Sequence, residues 1–335
     1  MAELSGRPLR DTRPDRKLYS PRREHELLRK SAEQGLNVLV VGDRGSGKTT
    51  LLRQLALDLR DHDVPAVFVD GKLATNAYSF LELVRYQLGE APNLLEAVRD
   101  RYIRAFQPRP NLGEAPILLD LIDSLRDPTG TQPRTVLLVD GVPSADEAHR
   151  LFGRLRDELW ETPFTWIVAA DERDRAALLR PPADAFFDRL IELAPFDEPE
   201  QLGLLSKRAS VHDVRAVRPL LEASDGNPRR LLALARDALE GGTTVKDILD
   251  VRAERERAAS ELGRPASMLL AELEARGAAS ASDEDLLQSL GWTRSRAVQV
   301  FSELEKAGLV ASETEKGPAG RPRKVYRPRD VVGPT

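Results

Sequence analysis

The chain has 335 residues, enough for two or three domains, and 41% of them are apolar. It has no cysteine and four histidines, which excludes a disulfide framework and a thiolate metal centre. A net charge of −4 excludes a uniformly basic nucleic-acid coat, so any nucleic-acid site must be a local patch. No run approaches the ~20 apolar residues of a membrane span. Residues 1–7 lack the apolar core of a signal peptide, so a cytoplasmic protein with no membrane partner is expected. Arginine outnumbers lysine 41 to 9, so an arginine-rich segment says less here than in a balanced chain.

In chain order, residues 1–20 mix Arg7, Arg10, Arg13, Arg16 and Lys17 with prolines and acids, a composition that predicts a flexible arm. A helix is expected from Pro21 to about Gln34, with Leu27 and Leu28 inward and Gly35 as its stop. Short apolar runs then alternate with helical segments up to residue 195. The strands are read at Val38–Val41, Ala66–Asp70, Thr135–Asp140, Phe164–Ala170 and Arg189–Leu193. Helices are read around 79–88, 93–105 and 116–126. Continuous short apolar strands point to a parallel sheet buried on both faces, hence an α/β domain over 21–195. Residues 196–258 read as a small helical bundle, broken near 211–213, 225–228 and 241–242. Residues 259–330 read as three helices (265–276, 283–290, 294–307) and a β-hairpin, with Asp283 and Thr293 as N-caps. That order is the winged helix-turn-helix arrangement.

The stretch Gly42-Asp43-Arg44-Gly45-Ser46-Gly47-Lys48-Thr49 directly follows the first strand. Its glycines let the backbone curl so that successive N–H groups converge on a phosphate. Gly42, Gly45, Ser46, Gly47, Lys48, Thr49 and Thr50 are the expected binding residues. Lys48 reaches the β- and γ-phosphates, and Thr49 holds Mg²⁺. The helix that follows turns its positive end toward the phosphates. A magnesium ion on a triphosphate needs a carboxylate partner, and Asp140, closing an apolar run, is the natural one. An aspartate opening a turn with Gly141 has the same local look. Gly141 stands where a water-polarising glutamate is common, so hydrolysis is expected to be slow. Asp171, after the fourth strand, serves equally as a phosphate sensor or a turn acid.

Taken together, Pro21-Arg22-Arg23-Glu24-His25-Glu26-Leu27, the loop at 42–49, Asp140 and Gly226-Asn227-Pro228-Arg229 resemble an AAA+ ATPase. The similarity runs over 18–240 and lies nearest the origin-recognition (Orc1/Cdc6-like) initiators and the STAND signalling ATPases. The resemblance implies a P-loop AAA+ three-layer sheet, a helical lid, and ATP with Mg²⁺ as ligands. It implies that Arg229 is a sensor for the γ-phosphate, that Pro228 belongs to the lid motif, and that Arg23 lies near adenine or ribose. Pro228 is also simply a good first residue of a helix. Arg189 is the candidate arginine finger toward a neighbouring subunit, or a surface arginine opening a strand. Lys48, Asp140, Arg229 and Arg189 are thus the expected catalytic set.

In the last segment, Val298, Phe301 and Leu304 are expected in the core. Arg294, Ser295, Arg296 and Gln299 are left for a DNA groove, where Arg can read guanine or phosphate and Gln adenine. Six cations from 316 to 329, among them Arg321, Arg323, Lys324 and Arg327, meet no acid until Asp330 in the sequence. A basic hairpin can lie along a phosphate backbone. The expectation is a nucleotide-controlled protein that binds double-stranded DNA. The alternative is a STAND-type scaffold whose winged helix docks a protein. A second copy of the chain is compatible with either.

Overall fold

A computed structural model describes residues 4, 6–90, 114–126, 134–209, 214–241, 245–283, 286–287, 290–316 and 322–329. Residues Pro8–Pro195 form one compact unit; Met1–Arg7 and Phe196–Thr335 form the other. Among the described residues, no helix is long and apolar enough to cross a membrane.

The first unit is a three-layer α/β fold around one five-stranded sheet. Its strands are β1 (Val38–Gly42), β2 (Ala66–Val69), β3 (Thr135–Asp140), β4 (Phe164–Asp171) and β5 (Arg189–Glu192). All pair in parallel, in the order β2-β3-β4-β1-β5. Side chains alternate across a strand, so a buried sheet needs two cores. Leu39, Val41, Leu137, Val139, Trp166 and Val168 enter one core, together with Phe80, Phe152 and Phe186. Val38, Val40, Val136, Leu138, Ile167 and Ala169 enter the other, against α1 (Arg23–Glu33) and α2 (Lys48–Asp61). The aromatic core is tightly interlocked: Phe152 lies 6.0 Å from Trp166 edge-on and 5.0 Å from Phe186, spacings at which ring quadrupoles attract. α3 (Ala77–Glu90) and α4 (Glu114–Leu125) cover that face with Phe80, Leu81, Leu118 and Leu121.

Three expectations change here. Leu28 is fully buried, but Leu27 is 41% exposed, because the inward stripe of α1 continues through Ser31 and Ala32. Within residues 8–20, where an arm is expected, several residues contact α2. Leu9 is buried, its N–H donates to Thr50 Oγ1 at 3.2 Å, and Gln54 Nε2 donates to Arg10 O at 2.6 Å. Arg16 adds an ion pair to Asp58 at 3.0 Å. Third, helical segments at Ala145–His149, Arg150–Arg154 and Arg156–Trp160 fill the connection from β3 to β4, where no element was anticipated. The expected helix at 93–105 lies outside the described residues.

The second unit opens with α5 (Glu198–Ala209), α6 (Val214–Ser224), α7 (Pro228–Gly241) and α8 (Val245–Glu261). Leu205, Leu220, Leu231 and Leu234 are central to their shared core. Asn227 caps α7, its side-chain oxygen accepting from the N–H groups of Arg229 (3.1 Å) and Arg230 (3.2 Å), with Pro228 at the first helical position. The break expected at 211–213 lies outside the described residues.

α9 (Arg264–Arg276) and α10 (Arg294–Lys306) then pack with an antiparallel hairpin, β6 (Val310–Lys316) and β7 (Pro322–Pro328). Of the helix expected at 283–290, Leu286, Leu287 and Leu290 are described and helical. Thr293 caps α10 by accepting from Arg296 N–H at 3.3 Å. Tyr326 on β7 stacks on Phe301 at 4.1 Å, and its backbone exchanges two hydrogen bonds with Ala279. Val298 is 47% exposed, contrary to expectation; the buried stripe is Ala297, Val300, Phe301 and Leu304. Positions 297, 300, 301 and 304 follow the 3.6-residue period, which leaves 298 about 100° off that face.

Candidate functional site

The site lies at the carboxyl ends of β1, β3 and β4, where open α/β sheets bind ligands. Register brings it together. Gly42 on β1 sits opposite Asp171 on β4, and Asp140 on β3 sits opposite Ala169 on β4. Thus the loop after β1 and two carboxylates share one edge, although they are far apart in sequence.

Gly47 starts α2 with φ +95°, in the left-handed region that favours glycine. A Cβ on Gly42 would lie 3.0 Å from both Ser46 Oγ and Leu193 Cβ, so the loop leaves no room for one. Lys48 is held by three acceptors: Gly42 O at 2.7 Å, Asp43 O at 3.0 Å and Asp171 Oδ1 at 2.6 Å. Burial raises the Asp171 carboxyl, but the Lys48 charge and hydrogen bond outweigh it and hold the group below its usual value. Thr49 Oγ1 donates to Asp140 Oδ2 at 2.6 Å. Asp140 is 1% exposed, and its Oδ1 is buried with no hydrogen-bond partner, as is Ser46 Oγ. Similar buried atoms occur elsewhere among the described residues, such as Thr165 Oγ1 and Trp166 Nε1, so the site is argued from its donor set. Hard oxygens at Thr49 and Asp140 fit a magnesium ion brought in with phosphates. Among the described residues no cluster of three acids or histidines forms a metal site of its own.

Two basic residues escaped sequence reasoning. Arg22 is buried and donates to Ser46 O at 2.6 Å and Ala194 O at 2.7 Å, while Glu24 neutralises it at 2.9 Å. It braces the loop from below. Its neighbour Arg23, the residue singled out from the sequence, has a side chain 57% exposed and paired with Glu24 at 3.4 Å. The second is Lys72, after β2, whose Nζ lies 2.6 Å from Asp140 Oδ2. Its one signal in the sequence was scarcity: lysine is rare in a chain that otherwise uses arginine.

Of the remaining candidates, Thr50 is engaged by Leu9 N–H. Arg189 Nη1 donates to Ser31 Oγ at 2.9 Å within its own chain. Pro228 and Arg229 belong to the second unit, at the capped start of α7.

In the C-terminal segment, Arg294, Ser295 and Gln299 are exposed on α10. Arg296 donates to Gln299 Oε1 at 3.0 Å, and Gln299 to Glu303 at 3.0 Å. The hairpin cations meet acids in space that they do not meet in sequence. Arg323 pairs with Asp283 at 3.0 Å, Lys324 with Glu305 at 2.8 Å, and Arg327 with Glu315 at 2.7 Å. The Lys324 bond pulls the Glu305 carboxyl below its usual range. Arg321 lies outside the described residues.

No curated protein matches the chain. Among solved structures, it is similar to the Aeropyrum pernix Orc1 protein in complex with DNA, at 18% identity and a TM-score of 0.47. That match covers 94% of this chain and 92% of that one. It is similar to Cdc6p of Pyrobaculum aerophilum at 14% identity and a TM-score of 0.46, covering 93% of each. For Thermotoga maritima RuvB the values are 16% and 0.43, covering 92% of this chain and 90% of that one. Residues 22–167, which carry Arg22, the glycine loop, Lys72 and Asp140, match the family of the AAA ATPase domain.

Proposed function

We propose that this protein binds ATP with Mg²⁺ at the loop after β1 and uses the bound state to control DNA binding through its C-terminal segment. The observation that carries the first half is the convergence of Lys48, Thr49, Asp140 and Asp171 on one sheet edge.

Each residue has a defined task in this reading. The loop N–H groups and the start of α2 receive the phosphates. Lys48 exchanges its loop carbonyls for phosphate oxygens. Thr49 and Asp140 hold the magnesium ion, which supplies charge neutralisation on the phosphates. Asp171, released from Lys48, is free to orient water or sense the γ-phosphate. Arg229 as γ-phosphate sensor and Arg189 as arginine finger belong to the same proposal.

Turnover is slow in this reading. Gly141 has φ +85°, and a Cβ there would lie 2.6 Å from Lys72 Cγ. A side chain at the position that ordinarily polarises water is strained by the backbone and meets the Lys72 stem, so in this reading the nucleotide acts as a switch.

The second half rests on α9, α10 and the hairpin, which support a winged helix. Arg294, Ser295, Arg296 and Gln299 would meet a groove, and Arg321, Arg323, Lys324 and Arg327 the backbone. Because the described hairpin cations already have acidic partners, phosphates must displace carboxylates, and affinity falls steeply with salt. The test is titration of labelled duplex DNA with ATP, ADP or no nucleotide. Tighter binding in one state supports the switch, and equal affinity and stoichiometry in all three refutes it. If Arg294→Ala with Arg296→Ala leaves DNA retention intact, the segment is a protein-docking module instead.

A further inference from the structure

Lys72 is unlike the other surface cations. It lies in the turn Gly71–Leu73 after β2, and its side chain is 43% exposed, yet its partner Asp140 is 1% exposed. The same Oδ2 that accepts from Lys72 at 2.6 Å also accepts from Thr49 Oγ1 at 2.6 Å. An ammonium therefore shares with Thr49 the carboxylate oxygen that would receive a magnesium ion. An exposed ion pair contributes little, but a buried carboxylate left uncompensated is costly, so this lysine is fixed by its partner.

Packing fixes the stem as well. A Cβ on Gly141 would lie 2.6 Å from Lys72 Cγ and 3.0 Å from Cε, so the lysine methylenes fill the place of a side chain at 141. A Cβ on Gly71 would lie 2.1 Å from Gly141 O. The turns after β2 and β3 are thus pressed together, and Lys72 projects from that contact over Asp140.

We propose that Lys72 is a resident cation of this site. It neutralises Asp140 beside Thr49, competes with magnesium for that carboxylate, and lets a nucleoside triphosphate bind without the metal. The last clause rests on the nucleotide reading above, whereas the competition stands without it.

The experiment uses the full chain as wild type, Lys72→Met, Lys72→Gln and Lys72→Arg. Thermal melts with Mg²⁺ alone come first. The ion is expected to raise the melting temperature of Lys72→Met and Lys72→Gln by about 3 °C and that of the wild type by less than about 1 °C. Binding of a fluorescent ATP analogue in Mg²⁺ and in EDTA follows. The wild type and Lys72→Arg should bind within about threefold under the two conditions, whereas Lys72→Met should weaken on the order of tenfold in EDTA alone. Equal magnesium responses in the melts of all four proteins overturn the competition. An unchanged ratio of Mg²⁺ to EDTA affinity in Lys72→Met overturns metal-free uptake. If the wild type binds no nucleotide under either condition, the nucleotide reading fails, and the magnesium melts alone decide whether Lys72 holds the cation's place.

Discussion

The loop site in the first unit and the basic surface of the C-terminal segment both gather charge, but in opposite ways. At the loop, ion pairs tie the segments after β1 and β2 to β4 and β3, and one of them involves a carboxylate that is 1% exposed. On the C-terminal hairpin, cations and acids pair nearer the surface, as Arg327 does with Glu313 and Glu315. Buried, incompletely satisfied charge is costly, and such charge clusters at functional sites. Surface pairs contribute little and exchange readily. The first region thus fits the proposed role of a receptor preset for one ligand chemistry. The second is a rigid apolar scaffold with an adjustable ionic coat.

The sharpest way to break this comparison is to damage each scaffold separately. Phe301→Ala removes the ring that stacks on Tyr326 and should destabilise the C-terminal segment by about 4 kcal/mol. Melting followed by the intrinsic fluorescence of Trp292 reads this, while nucleotide affinity stays unchanged. Next in size, Lys48→Ala removes the central donor of the loop. It should weaken ATP binding by about 3 kcal/mol, roughly a hundredfold in Kd, measured by calorimetry. DNA retention without nucleotide should be unaffected. Gly141→Ala comes third. It combines a left-handed backbone with the Lys72 stem and should lower stability by about 2 kcal/mol in denaturant titration.

The smallest effect is a pH dependence. Asp171 is raised by burial but lowered more by Lys48, so its folded carboxyl lies below the usual 3.8. Its contribution is present above that value and is lost as pH falls through the lower folded value. Acid titration of stability should therefore be shallower below pH 3.8 in Asp171→Asn than in the wild type.

The sheet was legible because each strand is a short apolar run closed by a turn, and Asp140 and the loop sit at such closures. The stretch 145–160 was not. Its buried residues, Ala148, Leu151, Phe152, Gly153 and Leu159, are interleaved with charged ones, and only the aromatic core around Trp166 explains their placement. The packing of residues 8–16 depends on Thr50, Gln54 and Asp58, more than 40 positions away. Such partners have no local trace. The hairpin looked uncompensated for the same reason: the acids that meet Arg323 and Lys324 lie 40 and 19 positions earlier. Within the site, Lys48, Thr49 and Asp140 were readable from spacing. Arg22 and Lys72 were not, since an arginine before a helix and a lysine after a strand are common until the fold supplies their partners.

The contact between Gly71 and Gly141 makes residues 71, 72 and 141 an epistatic unit. A glutamate restored at 141 alone meets the lysine stem, and one paired with a shortened residue at 72 still inherits the left-handed backbone. Installing a water-polarising acid at 141 therefore calls for coordinated changes around 71, 72 and 141. In the proposed reading, the slow chemistry of this site is held in place by two glycines.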